Sequence, residues 1–183
     1  MLRVKENPIQ RWPEGRSLIE DAGNWWVLYT KPRNEKALAW DLIKMGVGYY
    51  LPMTTKRTRR RDNGKPRKSV LCLFPGYISI VNYPPYRKEL ARTHRISRAI
   101  PVENQQHFIK QLEQIQIVSA LNVEMDVNNG LAKGQRVLIT SGPLQGIEGI
   151  ILDFGSRERV YFNVEMFGRS VVVKMDSSLL IPI

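Results

Sequence analysis

The chain has 183 residues and carries 28 Lys/Arg against 17 Asp/Glu, a net charge of +11; it is long enough for one or two domains with a proper core. No apolar run approaches the ~20 residues that cross a bilayer, the opening MLRVKENPIQRWPEGR lacks the apolar centre of a secretory leader, and the lone Cys72 cannot close an internal disulfide. A cytosolic protein with no membrane attachment is expected. The positive charge is uneven, because residues 24–119 hold 18 basic and 6 acidic residues while the rest of the chain is nearly balanced. That asymmetry is the footprint of a surface working beside nucleic acid.

Residues 1–23 mix Pro8, Pro13 and Gly15 with four basic and four acidic residues and no periodicity. They predict a flexible arm, with Trp12 as a candidate anchor. Trp25 to Thr30 is aromatic and β-branched, hence a strand. Asn34 is placed to cap a helix running to Met45, with Leu38, Leu42 and Met45 as its core stripe and Gly46 as its stop. Val47 to Thr55 reads as extended. Lys56 to Lys68 follows with eight basic residues and one acid, and Asn63-Gly64 suits a two-residue hairpin tip.

Ser69 to Val81 is almost wholly apolar, broken by Pro75-Gly76, and reads as a central strand with a kink. Cys72 lies in this run as a buried structural thiol. Tyr86 to Thr93 is helical in character, Arg95 to Ile100 extended, and Glu103 to Ser119 places Phe108, Ile109, Leu112 and Ile115 at helical spacing. His107 beside that stripe has no second ligand at metal spacing. Residues 120–129 read as a linker, with Asn128-Asn129-Gly130 marking the change to the next domain.

The stretch GLAKGQRVLITSGPLQGIEGII, residues 130–151, gives a strand over Arg136–Thr140, a turn through Gly142, Pro143 and Gly146, and a second strand from Ile147. Gly149 marks a bend or a close backbone neighbour. Val160 to Met166 and Ser170 to Met175 are further strands, separated by the Phe167-Gly168-Arg169 turn. Short strands divided by turn residues predict a small antiparallel barrel over 130–183. A helical alternative is disfavoured by the three glycines and one proline within eight positions.

The spacing of the 130–151 stretch resembles the KOW motif, which either marks a partner-binding module or merely closes a barrel. Residues 24–119 resemble the N-terminal domain of the NusG family through Trp26-Val27, Glu35-Lys36, Leu51-Pro52 and Leu73-Phe74-Pro75-Gly76-Tyr77-Ile78. Leu28 to Lys31 and the long basic hairpin lean towards its specialised, RfaH-like paralogues. The family's Asn-Thr-Pro-Gly-Val element stands here as Arg92-Thr93-His94-Arg95-Ile96, without the Pro-Gly. The resemblance implies an α+β protein: an N-terminal α/β sandwich with a mixed or antiparallel sheet, and a C-terminal SH3-like barrel.

It also implies a monomeric transcription elongation or antitermination factor. RNA polymerase would dock on Trp26, Phe74 and Tyr77, for which core packing is the competing reading. The non-template DNA of the elongation complex would meet Arg92, Thr93, His94 and Arg95. Leu144, Ile147, Phe167 and Arg169 would receive a small-subunit ribosomal protein or the termination factor Rho, with Phe167 exposed at its turn. Read from the residues themselves, Arg57, Arg59, Arg60, Arg61, Lys65, Arg67 and Lys68 would act on phosphates by charge, because the hairpin has no aromatic residue to stack on bases. No cofactor, metal site or catalytic constellation is expected. The alternative is a ribosome-associated or other RNA-binding KOW protein.

Overall fold

The structure, a computed structural model, describes residues 7–59, 64–121, 125–128, 132–152 and 157–183. The chain divides into two compact units, residues 1–103 and 104–183. The division falls before the last long helix, whereas the sequence carries the N-terminal domain to residue 119.

In the first unit, β1 (Arg11–Trp12), β2 (Trp25–Thr30), β3 (Tyr49–Tyr50), β6 (Tyr77–Val81) and β7 (Ile96–Pro101) form one sheet in the order β1-β3-β6-β2-β7. Every pairing in it is antiparallel. The aromatic and β-branched run of β2 lies between two neighbours, as its composition requires. Helix α1 (Glu35–Met45) adds Leu38, Ala39 and Leu42 to a core shared with Leu28, Ile78 and Ile80, and α2 (Tyr83–Arg92) adds Leu90. Each fully buried leucine contributes about 2 kcal/mol. Gly46 ends α1 in the left-handed region, at φ 70. Asn34 precedes the helix without capping it, because its Oδ1, the atom that would cap, accepts from Arg95 Nη1 instead.

β4 (Met53–Arg59) and β5 (Pro66–Cys72) make a separate two-stranded sheet. The apolar run 69–81 is therefore not one kinked strand. Its first part ends the ribbon and its second enters the main sheet as β6, with the turn between them made at Gly76, φ 90. Only glycine holds that backbone without strain.

Residues 7–23 are built into the unit, which corrects the reading of a flexible arm. β1 pairs with β3 at the sheet edge, Leu18 is fully buried, and the Tyr49 hydroxyl donates to the Ile9 carbonyl at 2.7 Å. Arg11 is buried, paired with Asp21 and stacked 5.6 Å above the Trp25 ring. One pair from this charge-balanced segment therefore lies inside the fold.

The second unit holds α3 (Gln105–Ala120) and a six-stranded, all-antiparallel sheet. Its strands are β8 (Met125–Asn128), β9 (Gln135–Ile139), β10 (Glu148–Ile151), β11 (Arg157–Val164), β12 (Arg169–Asp176) and β13 (Leu180–Pro182), in the order β13-β9-β10-β11-β12-β8. Val137, Ile139, Ile151, Val160, Phe162, Val164, Val171 and Val173 are among its buried residues. Gly142 and Gly146 turn the chain at φ 82 as the sequence predicts. Gly149 is a close approach, since a Cβ there would sit 2.3 Å from Val160 Cγ1. Part of the stretch read as a linker is a strand: Met125 to Asn128 pairs with Val173 to Ser170.

Candidate functional site

The Phe74-Pro75-Gly76-Tyr77 turn is held from several sides. The Glu35 carboxylate, buried at the start of α1, accepts from the Gly76 N–H at 2.7 Å, and the Gly76 carbonyl accepts from Thr30 N–H at 2.9 Å. Leu73 N–H donates to the Pro52 carbonyl at 2.8 Å. Next along α1, the Lys36 ammonium donates to the Val70 carbonyl and to Asn7 Oδ1, each at 2.6 Å. Glu35 and Lys36 thus tie the turn and the ribbon base to one helix. Burial and the Glu35 charge push the Cys72 thiol up to about 11, so it is a poor nucleophile near neutral pH.

The three aromatic dock residues do not form one patch. Phe74 is 1% exposed. Trp26 is half-buried and packs on Tyr83 at 5.1 Å beside the helix-facing core. Tyr77 lies opposite Tyr29 in register, with ring centroids 4.5 Å apart. Tyr29 is three positions from Trp26 along β2, so the Tyr29–Tyr77 pair occupies the other face of the sheet. Tyr29 was not among the expected site residues, although strand alternation from Trp26 gives its face.

At the α2–β7 turn, Arg92 and His94 are exposed, and His94 takes a left-handed backbone at φ 55. The Thr93 hydroxyl donates to the Leu90 carbonyl at 2.7 Å and accepts from Arg95 N–H at 3.3 Å, closing the helix end. Arg95 points inward. Its Nε donates to Asp41 Oδ2 at 2.8 Å and its Nη1 to Asn34 Oδ1 at 3.0 Å. The Arg95 carbonyl accepts from Lys31 N–H at 2.8 Å, which draws the β2–α1 loop alongside. Arg95 is therefore a strut between turns. The neighbouring loop presents Lys31 and Arg33, both exposed, with Arg33 at φ 62.

Along the ribbon, Lys56, Arg59, Lys65, Arg67 and Lys68 are exposed, and the register sets Arg57 opposite Lys68. Arg60 and Arg61 lie outside the described residues, as does Asn63 of the expected tip. Gly64 is described and has φ 64.

In the second unit, Leu144 is buried, while Ile147 and Arg169 are half-buried. Phe167 is 4% exposed, which corrects the expectation of an exposed aromatic. Its ring meets Phe108 of α3 edge-on at 6.0 Å. The small sheet alone offers little depth; the helix supplies the cover. Around this contact, Gln111 Oε1 accepts from Glu165 N–H at 3.2 Å, and His107 Nε2 lies 3.2 Å from Glu165 Oε1. Among the described residues, no group of three His, Cys, Asp or Glu could hold a metal, and no helix is long and apolar enough to cross a membrane.

Comparison with known proteins agrees with this architecture. The chain is 28% identical over 174 residues to the transcription termination/antitermination protein NusG of Borreliella burgdorferi, covering 83% of this chain and 94% of that protein. It is 24% identical over 182 residues to the protein of the same name from Lactococcus lactis, covering 89% and 95%. The solved structure of Thermotoga maritima NusG, described as a study of domain interaction, is similar in fold. It has a TM-score of 0.51 and 20% identity, and the match covers 87% of this chain and 97% of that one. The family model of transcription termination factor nusG matches residues 23–119, more than half of the chain. The chain therefore belongs to the NusG family, whose members are transcription termination/antitermination factors and not enzymes.

Proposed function

We propose that the first unit binds RNA polymerase through the surface around Tyr77 and Tyr29, and that the second unit links the bound polymerase to a further factor, a small-subunit ribosomal protein or Rho. The observation that carries this reading is the half-buried Tyr29–Tyr77 ring pair beside a turn fixed by Glu35, Thr30 and Pro52. A rigidly presented pair of amphipathic rings suits the centre of an interface, since tyrosine anchors dominate binding energy in such patches. Phe74, buried beside it, supports the turn from within. Trp26 belongs to the helix-packed core.

Nucleic acid is met by two basic surfaces in this reading. One is the pair of loops bearing Lys31, Arg33, Arg92 and His94, where Arg95 positions both loops; the non-template strand is its ligand. Left-handed backbones at two non-glycine residues on adjoining loops are the kind of local cost that functional sites retain. The other is the ribbon. In the second unit a partner meets Ile147 and Arg169, and reaches Phe167 only where α3 is displaced.

The test is polymerase capture by the full chain. Tyr77→Ala should weaken retention of RNA polymerase by at least about 30-fold, the effect of a hot spot worth 2 kcal/mol. Circular dichroism checks that the variant is folded. A folded Tyr77→Ala/Tyr29→Ala protein that retains polymerase as the wild type does would remove this surface from the reading.

A further inference from the structure

The β4–β5 ribbon differs from every other strand pair described. It has no third strand among those described, its far end is basic, and its base is tied down by the Leu73–Pro52 hydrogen bond and the Lys36 ammonium. A lone hairpin is marginally stable in water, so such an arm gains order from what it binds. We propose that the ribbon binds duplex DNA by lying in the major groove; this rests on the reading of the hairpin as a nucleic-acid contact.

Three observations select that ligand. First, Met53 to Cys72 contains no Phe, Tyr or Trp. Proteins that hold single strands stack the bases on aromatic rings, and this arm has none to offer. Second, the charges occupy both faces. Arg59 pairs with Pro66, two residues from Lys68, so Arg59 and Lys68 share one face; Lys56 and Arg67, paired with Ser69 and Thr58, share the other. A flat docking surface for an acidic protein would charge one face. Cations on both faces suit an element with phosphates on either side.

Third, the dimensions agree. Two strands of seven residues make a ribbon about 24 Å long. The B-form major groove, about 12 Å wide, admits a two-stranded ribbon. The A-form groove of duplex RNA is too deep and narrow for side chains to read. Long Lys and Arg side chains on such a ribbon reach the phosphates of both groove rims, a contact that positions without reading sequence.

The experiment titrates the full chain against a fluorescein-labelled DNA duplex of about two helical turns, with its single strand, the matching RNA duplex and polyglutamate as competitors. Duplex DNA should bind at least about 10-fold tighter than the other three. Lys56→Gln/Arg59→Gln/Lys68→Gln should lower the slope of log affinity against log salt by about 2.7, or 0.9 for each phosphate no longer neutralised. Lys68→Gln alone should lower it by about 0.9, which serves if the triple variant misfolds. Equal affinity for the single strand, with both abolished in the variants, would overturn the duplex assignment and leave the hairpin as a general nucleic-acid contact. Unchanged binding of every probe by folded variants would remove both. Competition by polyglutamate equal to that by duplex DNA would point to an acidic protein segment instead.

Discussion

Arginine is used in two opposite ways within the first unit. Arg11 is buried, paired with Asp21 and laid over Trp25, and Arg95 bridges Asp41 and Asn34. The ribbon arginines and lysines project from a pair of strands with no third neighbour. The acids divide in the same way. Asp21, Glu35 and Asp41 are engaged in the body through Arg11, Gly76 and Arg95, and the described ribbon contains no acid at all. A charge count therefore overstates the cations available to a ligand in the body. What separates Arg11 and Arg95 from Lys56, Arg59 and Lys68 is an acid within reach, and that is a property of the fold.

The sharpest break in this contrast is Arg11→Ala. It leaves the buried Asp21 with only the longer Arg16 contact at 3.7 Å, and removing one partner of a buried pair costs about 3–5 kcal/mol. Urea unfolding should show that loss. Arg11→Met/Asp21→Leu should recover most of it, because replacing both ions removes the charge that must be solvated. A single variant within about 1 kcal/mol of wild type would mean that water reaches the pair.

Glu35→Ala comes next. The partly buried Gly76 N–H loses its acceptor, at a cost of about 2 kcal/mol. Glu35→Gln keeps an oxygen acceptor and should retain more than half of the stability. If both variants also lose polymerase in the capture assay while folded, the turn acts by presenting Tyr77. If Glu35→Ala melts early yet captures polymerase normally, the turn is structural only.

Local chemistry made much of this fold readable. The aromatic run of β2, the Leu38–Leu42 stripe of α1 and the turn glycines Gly46, Gly142 and Gly146 each state their structure within a few residues. Gly149 was readable as a close approach because a strand interior rarely contains glycine without a steric reason. The misses share a different cause. β1 is two residues long, too short for any period, and Arg11 finds its acid ten residues away. Phe167 is buried by Phe108, 59 residues earlier, so its own turn gives no sign of cover. Arg95 lies in a run of basic residues that suggests a ligand, and the acid that claims it sits 54 residues before it on α1. Pairings across such distances are set by the assembled sheet.

Arg95→Ala is the milder break. Its ion pair with Asp41 is partly exposed on both sides, so about 1 kcal/mol is expected rather than the Arg11 figure. A loss above about 3 kcal/mol would place Arg95 with Arg11 as a buried charge. The smallest effect sharpens the contrast most. Lys56→Gln/Arg59→Gln/Lys68→Gln removes three cations that make no described contact with the body, so stability should stay within about 0.5 kcal/mol of wild type. Relief of like-charge repulsion along the ribbon would move it upward within that range. The same three changes should produce the largest change in the salt dependence of binding to nucleic acid. A ribbon that binds poorly after these changes yet melts as before is an arm whose charges act outward. Should the variant instead unfold several degrees early, the ribbon cations hold the body together, and the division between inward and outward arginines fails.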